Sequence, residues 1–237
     1  MSRKPLDAPV GPSHVTLAAV LQVREGSLQV LLWQRALQPF AGFWALPGGV
    51  LAPGETLEAS IRRHLATKVD LAEVAHLEQV ATYGEPGRNP VEWEIATAYL
   101  GLVPLGVEPA VPADTSWHPV DHLPPTAFDH GAIIHSARER LRGKLSYSNI
   151  GFALAPVTFT LNELRDVYAA ALGYDVSATN LKRVLVRRGA LRSTGARRDS
   201  GRAGGRPAEE FAFAGQSLEI TDPFAALRPP DVRGPQG

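Results

Sequence analysis

Residues 48–71, GGVLAPGETLEASIRRHLATKVDL, join a glycine-rich turn to a helical repeat with carboxylates only at its start. Such a loop-helix suits a phosphate-bearing ligand. Cleaving one is harder: hydrolysis of this kind uses a divalent cation to bridge phosphate oxygens and activate water, and clustered carboxylates must hold the ion. Glu55 and Glu58 are present, but the later positions of the helix carry His64, Thr67 and Lys68. An ammonium is a donor only and cannot ligate a cation. The pattern predicts binding without catalysis, with no catalytic residue and no metal site. Lys68 places a positive charge where it could partly neutralise a pyrophosphate, unless it is simply a solvated helix residue. Arg35 and Arg88 are candidate contacts to a diphosphate or a ribose, against the plainer reading of surface salt bridges.

A second constellation lies near the other end. Between 181 and 206, Lys182, Arg183, Arg187, Arg188, Arg192, Arg197, Arg198, Arg202 and Arg206 face a single acid, Asp199. This is the footprint expected of a surface that meets a phosphate backbone. Ser177, Thr179 and Asn180 stand just ahead of Lys182, Arg183, Arg187 and Arg188. There, Asn and Arg could read base edges while the remainder hold phosphates. The alternative is a solvated basic face on a small helical subdomain.

The elements that must position these residues follow from periodicity. HVTLAAVLQV and LQVLLW read as a strand pair around Arg24-Glu25-Gly26, and residues 73–83 and 91–103 as two more strands. Thr56 precedes a helix whose Leu57, Ile61 and Leu65 share a face. The proline-rich stretch 104–125 is expected to be loop or edge. Asp129 is placed to cap a helix reaching about Leu145, with Ile133, Ile134, Ala137 and Leu141 as its apolar stripe. Thr160-x-x-Glu163 has the form of a capping box opening a helix that Gly173 stops. Ser177 or Thr179 caps the next helix, which Gly189 stops. ALRSTG and EEFAF then flank a Gly/Arg-rich stretch. Helix, turn, helix and glycine-rich hairpin is the order of a winged helix-turn-helix, whose second helix enters the major groove. Arg197, Arg198, Arg202 and Arg206 would lie on the wing.

The chain has 237 residues, no cysteine and a net charge of zero. Zero conceals a division: residues 1–150 carry 12 basic and 15 acidic side chains, whereas 151–237 carry 12 and 9. Without cysteine there are no disulfides and no thiolate sites. No apolar run approaches a membrane span of about 20 residues. The opening MSRKPLDAPVGPS lacks the apolar core of a signal peptide, so a cytoplasmic location is expected. The seven histidines show no metal-ligand spacing and read as hydrogen-bonding groups.

Residues 48–71 resemble the Nudix box, G-x5-E-x7-R-E-U-x-E-E-x-G-U, where U is a bulky aliphatic. Gly49, Glu55, Arg63, Leu65 and Leu71 fall on the pattern. His64 stands in place of the Glu after Arg, Thr67-Lys68 in place of the Glu-Glu pair, and Asp70 in place of the late Gly. The resemblance implies that Arg63 ties the helix to its loop through a carboxylate, which makes it as much scaffold as ligand contact, and that Gly48, Gly49 and Glu55 flank the ligand with Trp44 as a platform, although the core suits Trp44 better. The whole chain resembles the Nudix-related transcriptional regulators of NAD metabolism, a bacterial repressor family. The resemblance rests on FWALPGGVLAPGETLEAS, TYGEPGRNP with ATAYLGLVP, WHPVDHLPPTAFDH, LRGKLSYSNIGFALAPVTFTLNELRDVYAAALG and GGRPAEEFAF, and covers about residues 14–214.

Together these imply an α/β (α+β) fold: a Nudix α/β/α sandwich followed by a C-terminal winged helix-turn-helix. The expected division is a disordered 1–13, an effector-binding domain over 14–128, a linker helix over 129–147, a DNA-binding domain over 148–215 and a disordered tail over 216–237. The linker helix, through its apolar stripe, is expected to couple the two halves, so that a charge at Ile134 would uncouple them. The resemblance implies a homodimer on a palindromic double-stranded DNA operator, ADP-ribose or a related NAD metabolite as effector, and no required cofactor. Two other readings are an active hydrolase of ADP-ribose or another nucleoside diphosphate derivative, and a basic RNA-binding or scaffolding protein.

Overall fold

The computed structural model of the chain describes residues 11–72, 74–198 and 207–222. Its first half is one mixed sheet. Strands β1 (Ser13–Arg24) and β2 (Ser27–Gln34) form an antiparallel pair, and β1 also pairs in parallel with β6 (Glu94–Leu102). Beyond β6 lies β5 (His76–Tyr83); β3 (Trp44–Ala45) and β7 (Thr115–Pro119) lie on β2, and β4 (Gly48–Val50) on β1. The proline-rich stretch thus supplies one edge strand, a 3-10 turn at Val120–His122 and otherwise loops.

Strand β1 is apolar nearly throughout because both of its faces are covered. Ala18 and Val20 point to one side, where they meet Ile61, Leu65 and Val69 of helix α1 (Leu57–Val69). Leu17, Ala19 and Leu21 point to the other, into the core that holds helix α2 (His130–Tyr147). Thr56 caps α1, its Oγ1 accepting from Ala59 N at 3.1 Å. Asp70 closes that helix in a left-handed turn at φ 51°, in the position the motif gives to glycine.

Helix α2 begins where expected, but Asp129 does not cap it with its side chain. The carboxylate instead accepts a bidentate pair of hydrogen bonds from Arg88. A charge-assisted fork of this kind is stronger than one bond to a helix amide, which is why Arg88 takes it. The stripe Ile133, Ile134, Ala137 and Leu141 is fully buried, on β1, β5 and β6 as well as toward the second half. A charge at Ile134 would therefore unfold the sandwich before it could report on coupling.

The second half opens with β8 (Phe159–Thr160) and α3 (Leu161–Leu172), followed by α4 (Ala178–Arg187), β9 (Leu191–Arg198) and β10 (Ala208–Phe213). The strands form a three-stranded sheet in the order β8-β10-β9. The capping box is present: Thr160 N donates to Glu163 Oε2 at 2.7 Å, and Glu163 N to Thr160 Oγ1 at 3.3 Å. Gly173 ends α3 at φ 78°, a conformation that favours glycine. Ser177, rather than Thr179, caps α4.

The two halves share one core. Phe159, Leu164, Val167, Leu185 and Phe213 belong to the same apolar cluster as Ile133, Ile134 and Leu141, and α3 packs on α2, β1 and β2. Residues 216–222, expected to be part of a disordered tail, instead return to the end of α2. Asn149 holds Ser217 O and Glu219 N, and the amides of Thr221 and Asp222 donate to Tyr147 O. Backbone polar groups at a helix end need partners, and this segment supplies them.

Candidate functional site

A cleft of ≈ 270 Å³ opens between the end of β2, the turn at β4, the end of α1, the 89–94 segment and the start of α2. Its apolar walls are Trp33 and Phe128. The Trp33 indole is fixed by donation to Leu46 O at 3.1 Å. His130 is buried beneath, its Nδ1 accepting from Leu46 N at 3.0 Å; burial pushes the imidazole down to about 3, so it is a neutral support. Gly48 passes so close to β1 that a Cβ would lie 2.1 Å from Thr16 O, and a Cβ on Gly49 would lie 2.6 Å from the His64 ring. Glycine is demanded at both by neighbouring atoms.

Two cations enter this cleft. The Arg35 guanidinium lies 4.8 Å over the Phe128 ring and 6.0 Å from Trp33, with its Nε donating to Pro39 O at 3.0 Å. The Lys68 ammonium lies 5.0 Å over Trp33. Lys68 is exposed, yet partial desolvation against Trp33, and then the charges of Arg35 and Arg63, lower its pKa. The carboxylates of Glu92 and Glu94 also line the cleft.

Of the ligand contacts expected from sequence, Arg35, Gly48, Gly49 and Lys68 come together here. The others do not line the cleft. Arg63 donates to both oxygens of Glu55, at 2.8 and 2.7 Å, and to Val50 O at 3.3 Å. Glu55 in turn accepts from Ala52 N, and hydrogen bonding from Arg63 holds its carboxyl down to about 2. This pair ties α1 to the preceding loop. Trp44 stacks edge-on against His118 at 4.2 Å and packs on the core. The Arg88 side chain is only 3% exposed and is engaged by Glu94 and Asp129. Trp33, Phe128, His130 and the 89–94 segment were not singled out from the sequence. They reach the cleft from separate parts of the chain, and no local pattern marks them.

Positions 64, 67 and 68 bring no carboxylate to a hard divalent ion. His64 is 7% exposed and its Nε2 lies 3.1 Å from Val50 O. A carbonyl only accepts, so Nε2 carries the proton, and burial, lowering the pKa, keeps the ring neutral. Thr67 Oγ1 donates back to Arg63 O at 2.8 Å, and Lys68 is cationic. Glu58 pairs with Arg62 at 2.9 Å. Among the described residues no group of three or more His, Cys, Asp or Glu side chains could hold a metal ion.

The basic surface centres on α4. Leu181 and Leu185 enter the core, which turns Thr179, Asn180, Arg183 and Arg187 outward. Arg183 donates to Asn180 Oδ1 at 2.7 Å. Ser177 spends its hydroxyl as the cap. Lys182 leans back, 4.5 Å over Phe211 and 3.1 Å from Glu209. Arg188 pairs with Asp222 at 2.7 Å and is largely covered. On β9, Arg192 and Arg197 are exposed. Arg198 is held by Glu163 at 2.8 Å and Glu210 at 2.7 Å, so it braces β9 against α3 and β10. Arg202 and Arg206 lie outside the described residues.

A phosphate-type cleft on a sandwich with a loop-helix of this kind defines a Nudix domain, here joined to a winged helix. Residues 12–137 match the NUDIX domain profile, and residues 151–213 match the NrtR DNA-binding winged helix domain. The chain is 31% identical over 212 residues to the ADPR responsive transcriptional repressor NtrR of Acinetobacter baylyi, covering 86% of this chain and 83% of that protein. It is also similar to the crystal structure of Shewanella oneidensis NrtR complexed with a 27mer DNA, at TM-score 0.71 and 32% identity, over 84% of this chain and 92% of that one. A third relative, the ADP-ribose pyrophosphatase of Methanocaldococcus jannaschii, is 32% identical over 120 residues, covering 49% of this chain and 69% of that protein. The chain belongs to the Nudix family, in its NrtR-type group of regulators with a winged-helix DNA-binding domain.

Proposed function

We propose that this protein is a transcriptional repressor that binds double-stranded operator DNA through α4 and the β9–β10 wing, and that ADP-ribose or a related NAD metabolite in the Nudix cleft controls that binding. The observation that carries the reading is one chain joining two features. The motif's three carboxylate positions are filled by His64, Thr67 and Lys68, and α4 presents Asn180, Arg183 and Arg187 outward from a buried Leu181–Leu185 seam. The repressor from Acinetobacter baylyi supports the effector and the sign of regulation. The Shewanella oneidensis complex supports DNA as the partner. Genes of NAD biosynthesis or salvage are the targets that fit such an effector, in the cytoplasm. A homodimer would set two α4 helices about 34–36 Å apart, matching half-sites one turn apart in a palindrome.

A DNA-shift titration of neighbouring promoters, with and without ADP-ribose, tests the reading. A shifted promoter fragment that ADP-ribose releases is the expected result. Equal retention of promoter and random DNA at the same salt would overturn it in favour of a nonspecific basic protein. Binding coupling is reciprocal, so operator must weaken ADP-ribose binding by the factor that ADP-ribose weakens operator binding.

The same reading carries a second expected outcome. ADP-ribose incubated with the protein and magnesium or manganese should release no AMP at an enzymatic rate. Turnover of about one per second or faster, within the ordinary range of enzymes, would make the protein a hydrolase with unorthodox ligands.

A further inference from the structure

Nudix chemistry holds a divalent cation against the ligand's phosphates, and the residues of this cleft do not fit one. We propose that Lys68 and Arg35 take the place of that cation, so that the cleft binds a diphosphate-bridged nucleotide sugar without metal. The inference deepens the reading of the Nudix half as an effector site and rests on it.

The displaced chemistry can be followed residue by residue. Where the motif would bring three carboxylates, His64 is neutral, Thr67 is neutral and Lys68 is positive. His64 is also packed against the turn. Its ring sits under Gly49 and its one proton is committed to Val50 O. Glu55, the motif's remaining acid, is spent on Arg63 and on the Ala52 amide. At positions 64, 67 and 68 a magnesium ion would meet no carboxylate and a resident ammonium, an unfavourable exchange for a strongly hydrated ion.

The same exchange makes the cleft suited to a bare anion. Lys68 and Arg35 approach the indole of Trp33 from their own elements, at 5.0 and 6.0 Å. Among the described residues Lys68 makes no ion pair or hydrogen bond, and Arg35 uses only its Nε, on Pro39 O. The donors left over are an ammonium and the outer nitrogens of a guanidinium, the groups that bind phosphate oxygens by charge-assisted hydrogen bonds. These two like charges beside one indole repel each other, and an anion between them relieves that cost. Glu92 and Glu94 line the same cleft; Arg88 and Asn89 hold the Glu94 carboxylate, which limits its repulsion of a ligand, and Glu92 is exposed to solvent. A diphosphate bridge offers one phosphate to each cation. A lone sugar would leave both unpaired.

Calorimetric titration of the full chain tests this, with ADP-ribose and inorganic pyrophosphate as separate probes, each in EDTA and in magnesium. In EDTA the unmodified protein should bind both, and magnesium should leave affinity unchanged or lower it by competing for the diphosphate. Lys68→Glu should lower affinity in EDTA by roughly tenfold or more, the range of a lost hydrogen bond between charged groups. Lys68→Arg should retain most of it. Lys68 is an exposed residue, so these variants should keep the unmodified protein's thermal midpoint. Binding by the unmodified protein only with magnesium, or an unchanged affinity in Lys68→Glu, would overturn the cation replacement while leaving ADP-ribose as effector. Metal-free binding of pyrophosphate that Lys68→Glu removes, with no binding of ADP-ribose, would support the replacement and overturn the effector. Failure of both probes in both buffers overturns both.

Discussion

Arg88→Ala is expected to lower stability by about 3–5 kcal/mol, the cost of removing one partner from a buried ion pair. The Arg88 guanidinium is almost wholly covered and serves three elements together. It donates from Nε and a terminal nitrogen to the two oxygens of Asp129, at 3.0 and 2.7 Å, and from the other terminal nitrogen to Glu94. Alanine would leave the Glu94 and Asp129 carboxylates without their shared cation in a largely covered site. The start of α2 and the start of β6 would lose their common tie. Both bear on the cleft, since Glu94 and the neighbouring Phe128 and His130 line it. Denaturant midpoints read the effect, and ADP-ribose affinity should fall with stability. A loss under about 1 kcal/mol would show that water or a neighbouring cation replaces Arg88, and that the triad is not what orders the cleft loop. Replacing Arg88, Glu94 and Asp129 together by apolar residues of similar volume should recover much of the loss, because buried ion pairs seldom exceed well-packed apolar groups in net stability.

The other large effect is expected on DNA. Arg183→Ala and Arg187→Ala should each cost about 1–3 kcal/mol of operator affinity if they read base edges, and relax sequence preference where they touch. Their helix needs neither side chain to fold, since Leu181 and Leu185 provide its packing. Arg197→Ala, on the exposed wing strand, should weaken all sequences alike and reduce the salt slope by about one. Arg198 belongs to a different class, although the sequence groups it with the wing arginines. Its partners Glu163 and Glu210 make Arg198→Ala a change to the hairpin, with an effect on stability of the small size typical of exposed pairs. Competition shifts with operator and random DNA at two salt concentrations separate these outcomes. Unchanged operator affinity in the Arg183→Ala, Arg187→Ala double variant would remove α4 as the reading element.

What could be read from the chain alone is what depends on near neighbours. A capping box needs only Thr160 and Glu163 three residues apart, and a left-handed stop needs only Gly173 or Gly189 in place. Ser177, Thr56, the apolar repeat of α1 and the paired runs of β1 and β2 are local in the same way. The order of those elements carried the family resemblance, and so the architecture. The absence of catalytic carboxylates at 64, 67 and 68 is likewise a fact of composition at fixed spacing. The tertiary structure decided which charges are spent and which are offered. Asp129 looks like a helix cap until Arg88, 41 residues away, arrives to take its carboxylate. Arg198 and Arg188 count as basic surface until Glu163 and Asp222 are folded against them. Residues 216–222 look like an untethered tail until Asn149 and Tyr147 supply their partners. The walls of the cleft, Trp33, Phe128 and His130, are nearly a hundred residues apart at their extremes and meet only because β2 and the start of α2 converge on the same turn. Helix and turn preferences act over a few residues and survive in the sequence. Ion pairs and cavities are set by chain closure over tens of residues, where any of several partners could satisfy the same charge until packing selects one.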